Sequence, residues 1–263
     1  MKKLTGLAVA MAASIASTAM AEDKVVRMGT EGYYPPFNYF DASGNVVGFD
    51  IDIGNALCEE MQVKCEWVTT DWAGIIPALN SNKFDTIIAS MSITAERAEV
   101  VSFSDPYYFN GSQFVVAGDG SLGSAMPSDL AGKVIGTQES TLEVKTLQAY
   151  FKDSEIRLYP KLDDALLDLD NGRLDAVYAG QVVLGEWLAK EDGACCQFVG
   201  EATRSDGNLG TGIAVRQEDT ELLAALNGAI EAIMANGTYA EIRDRYFDFD
   251  IMEKPKTTSE MYN

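Results

Sequence analysis

From Val25 onward the chain switches repeatedly between two periods. Short apolar, β-branched runs read as strands, and longer stretches with apolar residues three and four apart read as helices. Val25–Thr30 is a predicted first strand, and Gly32, Pro35 and Pro36 interrupt regular structure after it. Asp41–Asn45 reads as a turn. Gly48 then leads into Phe49-Asp50-Ile51-Asp52-Ile53 and a helix with Ile53, Ala56, Leu57 and Met61 on one face. Glu66–Val68 is a second strand, residues 72–80 a helix that Pro77 is expected to distort, and Asp85–Ala89 a third strand.

The stretch Leu79–Ile87 has an echo in Leu169–Val177. Each ends a helix and sets a basic residue, an apolar residue and an Asp before a strand: Lys83-Phe84-Asp85 and Arg173-Leu174-Asp175. Such units in each half predict two α/β lobes of similar plan. The middle segment has its own series: a strand at Lys133–Thr137, then helices at 141–151 and 162–169. A strand at Ile213–Val215, a helix at 220–235 capped by Asn236-Gly237, and a last helix running into Tyr246-Phe247 complete the pattern. The expected division is 22–110 with 206–263 as one lobe and 111–205 as the other. The chain then crosses twice between lobes, near 108–114 and 205–212, and the ligand cleft lies outside the strand ends.

The start of the chain is of a different kind. Lys2 and Lys3, an apolar run from Leu4 to about Ala16, and Ala19-Met20-Ala21 form the order of a secretory signal peptide, residues 1–21, cleaved after Ala21. The apolar run is shorter than the ~20 residues that span a bilayer. Removing residues 1–21, with Lys2 and Lys3, takes the net charge from −20 to −22. So acidic a surface disfavours nucleic acid and anionic lipid. The chain has no His, which excludes His-based triads, general bases and metal ligands. Nothing in it calls for a cofactor or a metal. Cys58 and Cys65 sit seven apart and read as a local disulfide in an oxidising compartment, against two reduced buried thiols. Cys195 and Cys196 are adjacent, either free or joined.

Candidate chemistry gathers in two places. Ser90-Met91-Ser92-Ile93-Thr94 follows a strand and precedes a helix start that carries Arg97. Hydroxyls, N–H donors and a guanidinium at a helix start suit a carboxylate. Ser140-Thr141, after Gly136-Thr137-Gln138, repeats the idea in the second half. Tyr34 and Trp72 lie off any periodic face and could sandwich an aliphatic or cationic side chain, and Glu31 beside them could pair with a cation.

Gly48–Ile53 with Leu57, Cys58 and Met61, Ser90–Thr94 with Arg97, Asn236-Gly237-Thr238-Tyr239 and Tyr246–Asp250 together resemble the family 3 extracellular solute-binding proteins. These are the polar amino-acid receptors of ABC importers. The resemblance spans the mature chain and is nearest to the lysine/arginine/ornithine-, histidine- and opine-binding branch. It implies a two-lobed periplasmic-binding-protein fold, a Cys58–Cys65 disulfide, a periplasmic monomer, membrane permease subunits as partners and an amino-acid-like ligand. By position, Arg97 with Ser90 and Thr141 would grip the α-carboxylate, Ser92 the α-ammonium, Tyr34 and Trp72 the side chain, and Glu31 its cation. Thr137, Ser140 and Thr141 would complete the second-lobe face, with Met91 beside the serines. Two departures stand out. Ala89 replaces a Ser of some relatives, and Gly180 stands where the α-amino-acid receptors carry the acid that pairs with the α-ammonium. Burying that cation alone is costly, so either another group serves or the ligand is N-substituted, as in opines. Some proteins of similar signature are cyclohexadienyl dehydratases, which keeps an enzyme as the rival reading. A partner of a membrane sensor is a third.

Overall fold

The computed structural model describes residues 24–118 and 122–262. The expected signal peptide therefore lies outside the described residues. Among the described residues the chain forms two five-stranded sheets and a small three-stranded one. In the first large sheet, Val25–Thr30 pairs in parallel with Lys64–Thr69 on one side and with Thr86–Ile87 on the other. Ala214–Val215 then runs antiparallel beside Thr86–Ile87, and Ser102–Phe103 closes the edge. The second large sheet repeats the plan. Val134–Gln138 lies between Glu155–Tyr159 and Ala176–Gly180 in parallel, followed by antiparallel Ser112–Ala117 and Cys196–Thr203.

The internal echo is structural. Asp85 accepts from the backbone N–H of Arg27 at 3.0 Å and pairs with its guanidinium at 2.7 Å. Asp175 accepts from the N–H of Val134 at 2.8 Å and pairs with Lys133 at 3.1 Å. In both, the Asp side chain locks the third parallel strand to the first. The apolar residue before each Asp packs under a glycine of the first strand. A Cβ on Gly29 would meet the Phe84 ring at 2.5 Å, and one on Gly136 would meet Leu174 at 2.4 Å. The turns before them use the left-handed region at equivalent positions, Asn82 (φ 59°) and Gly172 (φ 68°).

Pro77 does not distort its helix. A 3₁₀ turn at Trp72–Gly74 comes first, and the α-helix Ile75–Asn80 carries Pro77 in its first turn, where no N–H partner is needed. The helix bearing Arg97 is a single turn, Ala95–Ala98, so a helix dipole adds little there. Both cysteine pairs are disulfides, Cys58–Cys65 and Cys195–Cys196.

The crossing segments pair with each other: Tyr107 N–H donates to Thr211 O at 3.0 Å and Thr211 N–H to Tyr108 O at 2.9 Å. Tyr107 and Tyr108 are fixed to the first lobe by an aromatic cluster, with Phe37 stacked 5.0 Å from Tyr108 and Phe49 edge-on at 5.8 Å. A third connection was not foreseen. Phe109 N–H donates to Ile251 O, Arg204 N–H to Lys256 O and Thr258 N–H to Arg204 O. Tyr262 then packs on Phe151 of the second lobe at 5.4 Å. The last dozen described residues thus run along the crossings and end on the second lobe, although the sequence reading gave 206–263 wholly to the first.

Candidate functional site

The C-terminal ends of the parallel strands of both sheets meet at one cleft. Its lining takes Glu31, Tyr34, Trp72, Ala89, Ser90, Ser92 and Arg97 from the first lobe and Thr141 from the second, all expected from the sequence.

Arg97 sits where two loops converge. Its guanidinium donates to Ser92 O at 2.9 Å and, across the cleft, to Ser140 O at 3.2 Å. It lies 5.3 Å from the Trp72 ring centre. Thr94 Oγ1 caps the Arg97 N–H at 3.1 Å and fixes the start of the turn. Among the described residues no carboxylate lies within ion-pair distance of Arg97. Burial pulls its guanidinium down to about 10, with the charge of Glu143 acting in the opposite direction. A half-buried cation hydrogen-bonded only to neutral carbonyls is a strong site for an incoming anion.

Glu31 follows the first strand and is 5 % exposed. Its carboxylate accepts from Gln138 Nε2 of the second lobe at 2.7 Å. Burial raises its carboxyl to about 7, opposed by the Gln138 hydrogen bond. Buried Glu31 and half-buried Arg97 are thus opposite charges lining one cleft and not paired with each other.

Ser90 is set by a residue the sequence reading had only as part of a signature. Buried Asp50 accepts from Ser90 N at 2.8 Å, Ser90 Oγ at 3.1 Å, Asn38 Nδ2 at 3.0 Å and Tyr107 Oη at 2.6 Å. The Ser90 hydroxyl donates to Asp50, which holds it at the wall of the cleft. Ser90 (φ 54°) and Ser140 (φ 61°) both adopt the left-handed region, one in each lobe at the cleft. That conformation is costly for a residue with a Cβ and collects at functional sites. At Ser140 it turns the carbonyl toward Arg97 and Trp72, whose Nε1–H donates to it at 3.2 Å.

Four expected residues, Met91, Thr137, Ser140 and Gly180, are placed otherwise. Met91 is 1 % exposed and packs in the first-lobe core with Trp72 and Phe84. Thr137 is buried and its hydroxyl donates to Tyr178 O at 2.8 Å. Side chains alternate along the strand Val134–Gln138, so Gln138 rather than Thr137 reaches Glu31; Ser90 and Ser92 line the cleft while Met91 between them turns inward. Ser140 contributes its carbonyl, not its side chain. Gly180 does not itself line the cleft: a Cβ there would run into Tyr34 Oη and Asn110 Nδ2, which do.

The sequence reading missed Asn110, Ser112, Leu142, Glu143, Asn208 and Thr211 in the lining, and gave Gln138 no role. Glu143 had a local signal, as an acid in the first turn of the helix Leu142–Tyr150 that Thr141 begins. Asn208, whose Nδ2 donates to Ser92 Oγ at 3.3 Å, had none, because a crossing segment brings it there.

Two lobes of one plan, joined by paired crossings and closed on a cleft with an unpaired cation and a buried acid, define a two-lobed ligand-capturing protein. The sequence pattern of the bacterial extracellular solute-binding proteins, family 3, matches residues 26–249, and the chain belongs to that family. It is 41 % identical over 256 residues to the L-arginine-binding protein of Pseudomonas aeruginosa, covering 95 % of this chain and 98 % of that one. It is 38 % identical to the lysine/arginine/ornithine-binding periplasmic protein of Escherichia coli, over 90 % and 92 % of the two chains. Among solved structures, an ancestral arginine-binding protein bound to arginine superposes with a TM-score of 0.79 at 38 % identity, over 85 % of this chain and 98 % of that one. A periplasmic His/Glu/Gln/Arg/opine family-binding protein from Silicibacter pomeroyi, in complex with lysine, gives 0.77 at 35 % identity, over 86 % and 98 %. No described helix is long and apolar enough to cross a membrane.

Proposed function

We propose that the protein captures a cationic amino acid between its lobes in the periplasm and presents it, as a monomer, to the permease of an ABC importer. One observation carries this reading: the unpaired opposition of half-buried Arg97 and buried Glu31 within one cleft. A ligand with a carboxylate at one end and a cation at the other satisfies both charges at once. Arg97 receives the α-carboxylate, joined by the second-lobe backbone at Thr141. Tyr34 and Trp72 flank the aliphatic stem, and Glu31 receives the distal cation. Of the residues that line the cleft, Arg97 is the one cation. An N-carboxyalkyl derivative brings a second carboxylate with no cation to meet it, so the charge pattern favours the plain amino acid. Thermal-shift screening of arginine, lysine, ornithine, histidine and their N-carboxyalkyl derivatives tests the reading; stabilisation by the basic amino acids supports it.

The protein is a receptor in this reading, not an enzyme. Glu31, raised to about 7 at the cleft, suits proton transfer, and a related solved structure is an ancestral amino acid-binding precursor of cyclohexadienyl dehydratase. Incubation with prephenate or arogenate, followed by ultraviolet absorbance, decides between the two: product formation would make it an enzyme.

A further inference from the structure

An acid at position 180, the expected partner of the ligand's α-ammonium, is absent: Gly180 stands there. Ser112 stands directly opposite Gly180 in the sheet register. Its hydroxyl donates to Glu143 Oε1 at 2.7 Å. Glu143 thereby brings a carboxylate from the helix Leu142–Tyr150 to the strand pair where the acid at 180 would stand, and it lines the cleft. We propose that Glu143 is the acid that receives the ligand's α-ammonium and sets a preference for a free, protonated amine. This rests on the reading that an amino-acid carboxylate binds Arg97.

Three further observations agree. The Oδ1 of Asn110 is buried without a hydrogen-bond partner, and Asn110 lines the cleft beside Gly180, which gives the ammonium a neutral second acceptor. The negative charge of Glu143 is felt at both Arg97 and Tyr34. With Glu143 counted, the cleft has two acids and one cation. A basic amino acid, with one carboxylate and two cations, is its complement. Without Glu143 the α-ammonium would be buried with no counter-charge.

The test compares L-arginine with 5-guanidinopentanoate, the same molecule lacking the α-amine, by isothermal titration on the wild-type protein and on Glu143→Gln. The variant is expected to lose roughly ten- to hundred-fold in affinity for arginine, the range for a hydrogen bond to a charged group, with 5-guanidinopentanoate little changed. Equal arginine affinity in both proteins overturns the assignment. So does an equal loss for both ligands, which would mean that Glu143 acts on lobe geometry. If wild-type protein binds neither ligand nor any other basic amino acid, the reading of the cleft has failed and this inference with it, a result distinct from the other two. Melting temperatures check folding, and Glu143→Asp, expected to keep part of the preference for arginine, replaces the Gln variant if that does not fold.

Discussion

The hydroxyl of Tyr34 stands 2.4 Å from the point where a Cβ on Gly180 would lie, with Asn110 Nδ2 2.8 Å from the same point. Tyr34 belongs to the first lobe and Gly180 to the second. The missing side chain at position 180 is therefore occupied volume, filled by a phenol that crosses the cleft. Glycine is there because the two lobes approach through it.

Restoring an acid at this position is therefore expected to harm binding. Gly180→Asp should lower arginine affinity by ten-fold or more, because Tyr34 and Asn110 must move; about 1.4 kcal/mol of lost closure energy is enough. Combining Gly180→Ala with Tyr34→Phe should recover part of the loss seen in Gly180→Ala alone, a non-additive pair measurable in a titration cycle.

Glu31 gives a pH dependence with a definite sign. A distal cation needs the carboxylate, and burial raises this carboxyl from the ordinary 4.5 to about 7. Affinity for basic amino acids should hold above pH 7 and fall below it, approaching ten-fold per pH unit. Glu31→Gln should bind weakly and flatten the profile. For the free protein the sign is opposite. The folded state binds this proton more tightly, so the contribution of Glu31 to stability is full below pH 4.5 and declines as pH rises to about 7. Titrations and chemical denaturation between pH 5 and 8 read both effects.

Asp50 is expected to act on stability and binding together. Asp50→Ala leaves donors from Asn38, Tyr107 and Ser90 unsatisfied in the interior. Stability should fall by about 3 kcal/mol in urea unfolding, and ligand affinity should fall with it as Ser90 loses its anchor.

The two disulfides should differ. Cys58 and Cys65 close a loop with a separation of seven residues, worth about 2 kcal/mol in chain entropy, so Cys58→Ala/Cys65→Ala should melt lower. Cys195 and Cys196 are adjacent and close almost no chain. Cys195→Ala/Cys196→Ala should unfold at nearly the wild-type urea concentration.

Much of this was legible in the sequence wherever a local pattern fixes local structure. The Lys83-Phe84-Asp85 and Arg173-Leu174-Asp175 echoes mark strand starts because Asp and apolar residue each have one job there, on the neighbouring strand and under a glycine. Arg97, Glu31, Tyr34 and Trp72 were legible because their positions follow strand ends and breaks. Thr137 was misplaced by one step of side-chain alternation, which reverses the face, and Met91 turns inward between two serines that line the cleft. Asn110, Asn208 and Thr211 sit on the crossings, and their place at the cleft depends on how the lobes close. The return of residues 254–262 to the second lobe is tertiary in the same way: Thr258 and Tyr262 show no periodic signal, and only their partners Arg204 and Phe151 explain them.

The central claim is that Arg97 clamps the carboxylate of a basic amino acid in this cleft. Isothermal titration of L-arginine, L-lysine, L-ornithine and L-histidine into wild-type protein and Arg97→Ala at pH 8 tests it most directly. The wild type should bind at least one of them with a Kd of about 1 µM or tighter, roughly −8 kcal/mol, and Arg97→Ala should lose that binding by a hundred-fold or more. Undiminished affinity in Arg97→Ala, or no binding of any basic amino acid by the wild type, would contradict it.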